Sequence, residues 1–289
     1  MSTIKPYLQL TRPANLVTAI ADILAGMAIA QFTFSDFNPA LLVISTLGLY
    51  GGGVVMNDVF DAKLDAVERP ERPIPSGKVS LQSATMLGMT LLFAGVLAAA
   101  LFSFQSGMIA VVIAALTVLY NRFAKHHVFF GPLTMGMCRG GNLLLGMSVL
   151  PESFQQWSFV ALLPIAYIAA ITLISQDEVH GGKRRTLYIA VFLYLVVLAA
   201  QLTIARSQGN ILFALPFVLL HAWLIGRPLY NAIQNPIGPL IGKAVKAGVL
   251  SLIVMNASWC VAFGLWPIAL AVLALLPLSI LLARVFAVT

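Results

Sequence analysis

Charged residues are absent from long stretches of this chain. Six runs contain no Asp, Glu, Lys or Arg: 37–57, 79–121, 153–176, 186–205, 207–226 and 247–283. They are continuous apolar runs rather than strict alternations, and their length reads as helix. A helix needs about 20 mostly apolar residues to cross a hydrocarbon core of roughly 30 Å. Runs 79–121 and 247–283 exceed one crossing, and each holds a turn signal, Phe104-Gln105-Ser106-Gly107 and Gly264-Leu265-Trp266-Pro267. Two further spans carry one embedded charge each, near 13–33 with Asp22 and near 129–150 with Arg139. Lipid admits only helices or closed barrels. The expectation is an all-α polytopic transmembrane bundle of nine or ten spans, one integral-membrane unit over residues 1–289, built from two pseudo-repeated halves.

Composition narrows the class. Of 289 residues 60% are hydrophobic and 9% charged, with mean hydropathy +0.94. A soluble domain carries about 25% charged residues, so a soluble enzyme, a disordered chain, a disulfide scaffold and a coiled coil are excluded. The net charge of +7 would suggest nucleic acid in a soluble domain. Here the cations sort by loop. Lys5 and Arg12 precede span 1; Lys63, Arg69, Arg72 and Lys78 follow span 2; Arg122 and Lys125 follow span 4; Lys183, Arg184 and Arg185 follow span 6; Arg227, Lys243 and Lys246 follow span 8. The alternate loops are nearly bare. This asymmetry marks the cytoplasmic face and places the chain in an inner, cytoplasmic membrane with lipid as its surroundings, without implying nucleic acid. Met1-Ser2-Thr3-Ile4-Lys5-Pro6 lacks the basic region of a cleaved signal, so span 1 is expected to be retained. Cys138 and Cys260 both fall inside spans and imply no disulfide or zinc framework.

The chemistry concentrates at the end of span 2. Asp58, Asp61, Asp65, Glu68 and Glu71 are five of the ten acidic residues, within 14 positions. Asn57, Asp61 and Asp65 are spaced i, i+4, i+8 and would share one face of a continuing helix. Clustered carboxylates without a cation repel one another. A hard divalent cation explains them, and Mg²⁺ takes one or two carboxylates together with substrate phosphates. A solvated acidic loop capping the span is the plainer alternative.

Asn57-Asp58-x-x-Asp61-x-x-x-Asp65, followed by Arg69-Pro70-x-Arg72-Pro73-Ile74-Pro75-Ser76-Gly77, closely resembles the first aspartate-rich motif of the UbiA superfamily of intramembrane prenyltransferases. Arg12-Pro13 is similar to the family's opening, Tyr120-Asn121-Arg122-Phe123-Ala124-Lys125 to its Tyr-x-x-x-x-Lys segment, and Arg139-Gly140-x-Asn142 to its intramembrane arginine. The resemblance implies transfer of an isoprenyl group from a prenyl diphosphate to an unidentified acceptor, with Mg²⁺ as cofactor. It implies metal at Asn57, Asp58, Asp61, Asp65, Asp177 and Glu178, and catalytic roles for Asp61, Asp65, Asp177 and Glu178. Diphosphate would meet Asn57, Arg72, Lys125, Arg122 and Arg139.

The second motif departs from the family pattern, usually Asp-x-x-x-Asp. Here Asp177-Glu178-Val179-His180 is followed by Gly181-Gly182, so the acid four residues on is missing. Adjacent carboxylates diverge on a helix and replace an i, i+4 pair poorly. Three readings stay open. Asp177 or Glu178 holds a second Mg²⁺ with His180 as partner, base or hydrogen-bond donor; one metal suffices; or the protein binds or translocates a prenylated or amphipathic intermediate without transferring it. The departure resembles divergent UbiA-like members that accompany biosynthetic operons, including the Ebo cluster. An ion-coupled transporter fits less well, because its polar residues would gather at midplane.

Other residues carry paired readings. Arg139 lies inside span 5 and binds phosphate or pairs with Asp22. Arg122 is a phosphate binder or a topological anchor. Asn15 and Asn142 line a polar pocket or join neighbouring helices. His126-His127 reads as structural. Gly48-x-x-x-Gly52 and Gly136-x-x-x-Gly140 read as close-packing faces of spans 2 and 5.

Overall fold

The computed structural model describes residues 4–32, 39–176, 178 and 181–286. All regular structure among them is helical. In chain order the helices are α1 (Ile4–Thr11), α2 (Pro13–Ile29), α3 (Ala40–Phe60), α4 (Ala62–Glu68), α5 (Leu81–Phe102), α6 (Phe104–Leu119) and α7 (Phe130–Met147). They continue as α8 (Pro151–Trp157), α9 (Leu162–Ser175), α10 (Arg184–Ser207), α11 (Ile211–Gln234), α12 (Gly238–Ala262) and α13 (Trp266–Val285). A π-helical turn, Tyr120–Ala124, extends α6, and a 3-10 turn, Ser158–Ala161, joins α8 to α9.

Eight helical segments are long and apolar enough to cross a membrane, nine if the bent pair α1–α2 is one span. Helix α7, with Arg139 and Asn142 in its 18 residues, is not among them. The chain is an integral membrane protein. Both expected breaks exist: Ser103 caps α6 through its side chain, and Gly264 (φ +82°) separates α12 from α13. The loop expected between spans 8 and 9 is misplaced at both ends. Charge began span 9 at residue 247, whereas α12 starts at Gly238 with Lys243 and Lys246 inside it, and it ended span 8 at 226, whereas α11 runs to Gln234 with Arg227 inside it. Long lysine stems let a helix continue through such positions.

Successive helices pack on one another, and α13 returns to α2, where Ser279 Oγ donates to the Ala14 carbonyl at 2.9 Å. Helices α2, α7, α9 and α12 make the cross-contacts inside the bundle. Glycine sets the close approaches: at the α2–α7 crossing a Cβ on Gly26 or Gly146 would run into the Leu143 or Ile23 carbonyl oxygen, and between α3 and α5 a Cβ on Gly48 would lie 2.6 Å from the Leu91 carbonyl oxygen and 2.8 Å from Gly95 Cα. The Gly136 and Gly140 face meets α9 in the same way, at Ile165 and Ala161.

Candidate active site

Three local features of the chain aim side chains at one point. Pro13 begins α2, and the residue before a proline is pushed out of the α region. Arg12 sits there in the left-handed region (φ 46°, ψ 70°), at a 46° bend between α1 and α2. A non-glycine residue pays for that conformation, and here it carries a guanidinium to α3. Arg12 Nη2 donates to Asp58 Oδ1 at 2.8 Å.

The second feature is the turn at Asp61, where α3 ends and α4 begins. It keeps a nearly helical path, so the acidic residues stay together. Asp58, Asp61 and Asp65 are 5%, 8% and 3% exposed, while Glu68 and Glu71 are exposed. A solvated acidic loop is thereby excluded for the first three. Arg72 folds back from the loop, its Nη1 2.8 Å from Asp65 Oδ2 and 3.5 Å from Asp58 Oδ1.

The third is the π-helical turn, a feature frequent at functional sites. The Lys125 amide reaches back to the Tyr120 carbonyl at 2.9 Å, which sets Asn121 and Lys125 on the face toward α3. Asn57 Nδ2 donates to Asn121 Oδ1 at 2.8 Å, and Asn121 Nδ2 to the Gly53 carbonyl at 3.3 Å. Lys125 Nζ donates to Asn57 Oδ1 at 3.3 Å and pairs closely with Asp61. Burial pulls the Lys125 ammonium below the usual lysine value, and Asp61 beside it opposes that shift.

Three carboxylates and three cations thus form a rim. Beneath it lies a cavity of about 320 Å³. Asn57, Asp61, Arg12, Arg69, Arg72 and Lys125 line its mouth, and Leu49, Ile113, Met135, Ile168, Ile171, Val245 and Val249 its apolar walls. Glu178 lines it from the other half of the bundle. Asp177 and His180 lie outside the described residues.

Two expected diphosphate contacts are placed elsewhere. Arg122 is exposed and stacks on Phe123, 5.4 Å from the ring centroid, because the π turn that brings Asn121 and Lys125 inward leaves Arg122 outward. Arg139 pairs with Asp22, Nε to Oδ2 2.6 Å, and lies over Tyr50, 5.5 Å from its centroid. Tyr50 precedes Asp61 by eleven residues, about 16 Å along a helix, so Arg139 belongs to the inner cavity. Asp22 also accepts from Asn142 Nδ2 at 2.9 Å and Asn256 Nδ2 at 2.7 Å. Asn142 Oδ1 accepts from Thr46 at 2.6 Å. Asn142 therefore both lines the cavity and joins helices. His127 is structural: its Nδ1 accepts the amides of Phe129 and Phe130 at the start of α7.

Asn121 was missed by sequence reasoning. It sits four residues before Lys125 inside the tyrosine–lysine segment, but only the extra backbone residue of the π turn points it inward.

Oxygen donors at the mouth fit a hard cation. Asn57 Oδ1 and Asp61 already converge on one positive centre, the Lys125 ammonium. Among the described residues no group of three or more His, Cys, Asp or Glu is placed to hold a metal.

A model of the UbiA prenyltransferase family matches residues 19–235. The chain belongs to that family. It is 31% identical over 230 residues to the digeranylgeranylglyceryl phosphate synthase of Methanothrix thermoacetophila, covering 72% of this chain and 86% of that one. The apo structure of a UbiA homologue from Aeropyrum pernix superposes with TM-score 0.71 at 16% identity, over 84% of this chain and 96% of that one. A UbiA homologue from Archaeoglobus fulgidus, solved with GPP and Mg²⁺, superposes with TM-score 0.61 at 12% identity, over 86% and 99%. These two likenesses establish the UbiA fold, in which the first aspartate motif lies at the cavity mouth of this chain.

Proposed function

We propose that this UbiA member transfers an isoprenyl group from a prenyl diphosphate to an acceptor within the membrane, in a Mg²⁺-dependent reaction, at a site facing the cytoplasm. The observation that supports this reading is the buried rim of Asp58, Asp61 and Asp65 with Arg12, Arg72 and Lys125 above an apolar-walled cavity. Similarity to a curated digeranylgeranylglyceryl phosphate synthase and to a fold solved with GPP and Mg²⁺ supports it further.

Ionisation breaks the bond between C1 of the prenyl group and the diphosphate oxygen, and the electron pair leaves with the diphosphate. That charge must be neutralised. Arg12, Arg72 and Lys125 are positioned for it. Asn57 and Asp61 face the cavity and would hold Mg²⁺; Asp58 and Asp65 hold the two arginines in place. Mg²⁺ bound there would supply positive charge that stabilises the departing diphosphate. The apolar walls take the prenyl chain and keep water from the allylic cation. Glu178 is the described acid on the opposite side.

The test is the full-length protein with Mg²⁺, a panel of prenyl diphosphates and native cell extract, followed by mass spectrometry for a prenylated product. Asp61→Ala should abolish turnover and leave membrane insertion intact; full activity in that variant would remove the metal role. A second reading, a non-catalytic carrier of a prenylated or amphipathic intermediate, draws on the absence of a three-acid cluster among the described residues. It predicts donor binding without diphosphate release.

A further inference from the structure

Two helices of the second half build one apolar side of the chamber. Helix α9 contributes Ile168 and Ile171, and α12 contributes Val245 and Val249. A polar contact joins the two helices directly behind that wall. Tyr167, next to Ile168, is fully buried. Its Oη donates to the Gly248 carbonyl of α12 at 3.0 Å and lies 2.8 Å from Ser251 Oγ. Gly248 is next to Val249. The helices are therefore pinned together one residue behind the surface that a prenyl tail would touch.

The pin has little freedom. The Tyr167 ring packs against the Tyr194 ring, with centroids 4.9 Å apart, and against the His221 ring at 5.3 Å. His221 is itself held, its Nδ1 3.1 Å from Gln201 Oε1. Aromatic neighbours of this kind fix a ring's orientation, so the hydroxyl keeps its aim at α12. Gly248 controls the same spot from the other helix. A Cβ there would lie 2.9 Å from Ile171 Cγ1, 3.1 Å from Ile171 Cδ1 and 3.0 Å from Tyr194 Oη. Tyr194 is backed by Tyr167, whereas Ile171 has the open chamber beside it. An added methyl is relieved by moving Ile171 into the chamber.

We propose that Tyr167 is a positioning residue that sets the width of the chamber where the prenyl tail lies, with Gly248 as the spacer that leaves Ile171 in the wall. The inference rests on the transfer reading above and concerns which donors that site takes. Neither Tyr167 nor Gly248 lines the chamber. Both act through the wall residues beside them. Releasing the pin lets α9 and α12 part and makes room for a longer tail; filling the space at Gly248 narrows the chamber and favours a shorter one. A change of one methylene in an apolar pocket alters selectivity about tenfold or more, so selectivity among donors is the quantity that reports the pin.

The test measures dissociation constants of the full chain in lipid vesicles with Mg²⁺ for geranyl, farnesyl and geranylgeranyl diphosphate. Tyr167→Phe keeps the ring and removes only the hydroxyl. Ser251 Oγ still donates to the Gly248 carbonyl at 3.1 Å, so no buried carbonyl is stranded. Interhelical hydrogen bonds in lipid are individually weak, and the variant keeps its fold. It should shift the ratio of the geranyl to the geranylgeranyl constant about tenfold in favour of the longer donor. Gly248→Ala should shift that ratio in favour of the shorter donor, and Ile171→Val added to it, which trims the displaced side chain, should recover most of the change. A general loss of stability would weaken every donor alike and would not move the ratio in opposite directions. A ratio unchanged in Tyr167→Phe, or shifts of the same sign in the two variants, overturns the proposal; if Gly248→Ala does not fold, the Tyr167→Phe ratio decides. Product formation with cell extract is read alongside. Shifted ratios with no product from any donor sink the transfer reading and leave the positioning role standing, while product with unshifted ratios sinks the positioning role alone.

Discussion

Arg139 Nε lies 2.6 Å from Asp22 Oδ2, joining α7 to α2 in the interior of the bundle. Asn142 and Asn256 complete the ring of donors around that carboxylate. Arg139 Nη2 is buried without a hydrogen-bond partner. Removing one member strands the other charge in an apolar interior, at a cost of about 3–5 kcal/mol. Arg139→Met and Asp22→Ala should therefore each lower the thermal midpoint in detergent sharply. The double variant Asp22→Ala with Arg139→Met should be far less damaging than the two single losses summed. Additive losses would show that the ion pair is not the coupling between the helices.

The ion pairs of the rim match three carboxylates with three cations, and Arg69 adds a fourth cation at the mouth. Mg²⁺ alone adds positive charge and a prenyl diphosphate alone adds negative charge, each at a partly desolvated site. The two should bind together more tightly than either does separately. Thermal shifts read this directly: the shift with both ligands should exceed the sum of the separate shifts, and a chelator should return it to the donor-only value. Equal stabilisation by donor with and without Mg²⁺ would count against the assignment of Asn57 and Asp61.

Lys125 gives the pH dependence. Burial lowers its pKa below the ordinary lysine value, so it loses its proton at a lower pH than a free lysine does. Donor KM should rise as pH climbs through that lowered value, because the ammonium facing the diphosphate is lost. Lys125→Arg, which stays charged, should move the alkaline limb upward. Without ligand the sign reverses for stability. The unfolded chain holds the proton longer than the folded one, so stability rises with pH between the two values. A donor KM that is flat across the alkaline range would exclude Lys125 from the diphosphate site.

Helix packing offers a fourth check. Gly48→Ala forces a methyl against the backbone of α5, at the Leu91 carbonyl and Gly95, and should cost about 1–3 kcal/mol. Gly51→Ala meets only the ends of Leu16 and Leu91 at 3.6 and 3.7 Å, and should be neutral or mildly stabilising. Thermal aggregation of the two variants side by side separates a specific close approach from a general preference for glycine.

Much of this arrangement could be read before any coordinates. The apolar runs located the spans because lipid leaves no other way to satisfy a backbone. The spacing of Asn57, Asp61 and Asp65 located the rim because a near-helical path continues through the turn at Asp61. What escaped depended on local backbone geometry. Asn121 points inward and Arg122 outward because of one π-helical turn, which leaves no mark in hydropathy. Lys243 and Lys246 read as loop charges in the sequence and set the expected start of α12 too late, although their stems let them sit within a helix. Asp58 finds Arg12 46 residues away only because Pro13 forces a corner.

That corner ties the rim to the bilayer surface. Helix α1 shows Ile4, Tyr7 and Leu8 to its surroundings, at 65%, 37% and 44% exposure, a side that suits the headgroup boundary. Arg12, itself in the left-handed region, is the single residue that turns this helix into α2. Arg12 is both that corner and part of the lining of the chamber's mouth, so the angle between the two helices fixes where one of the site's cations stands.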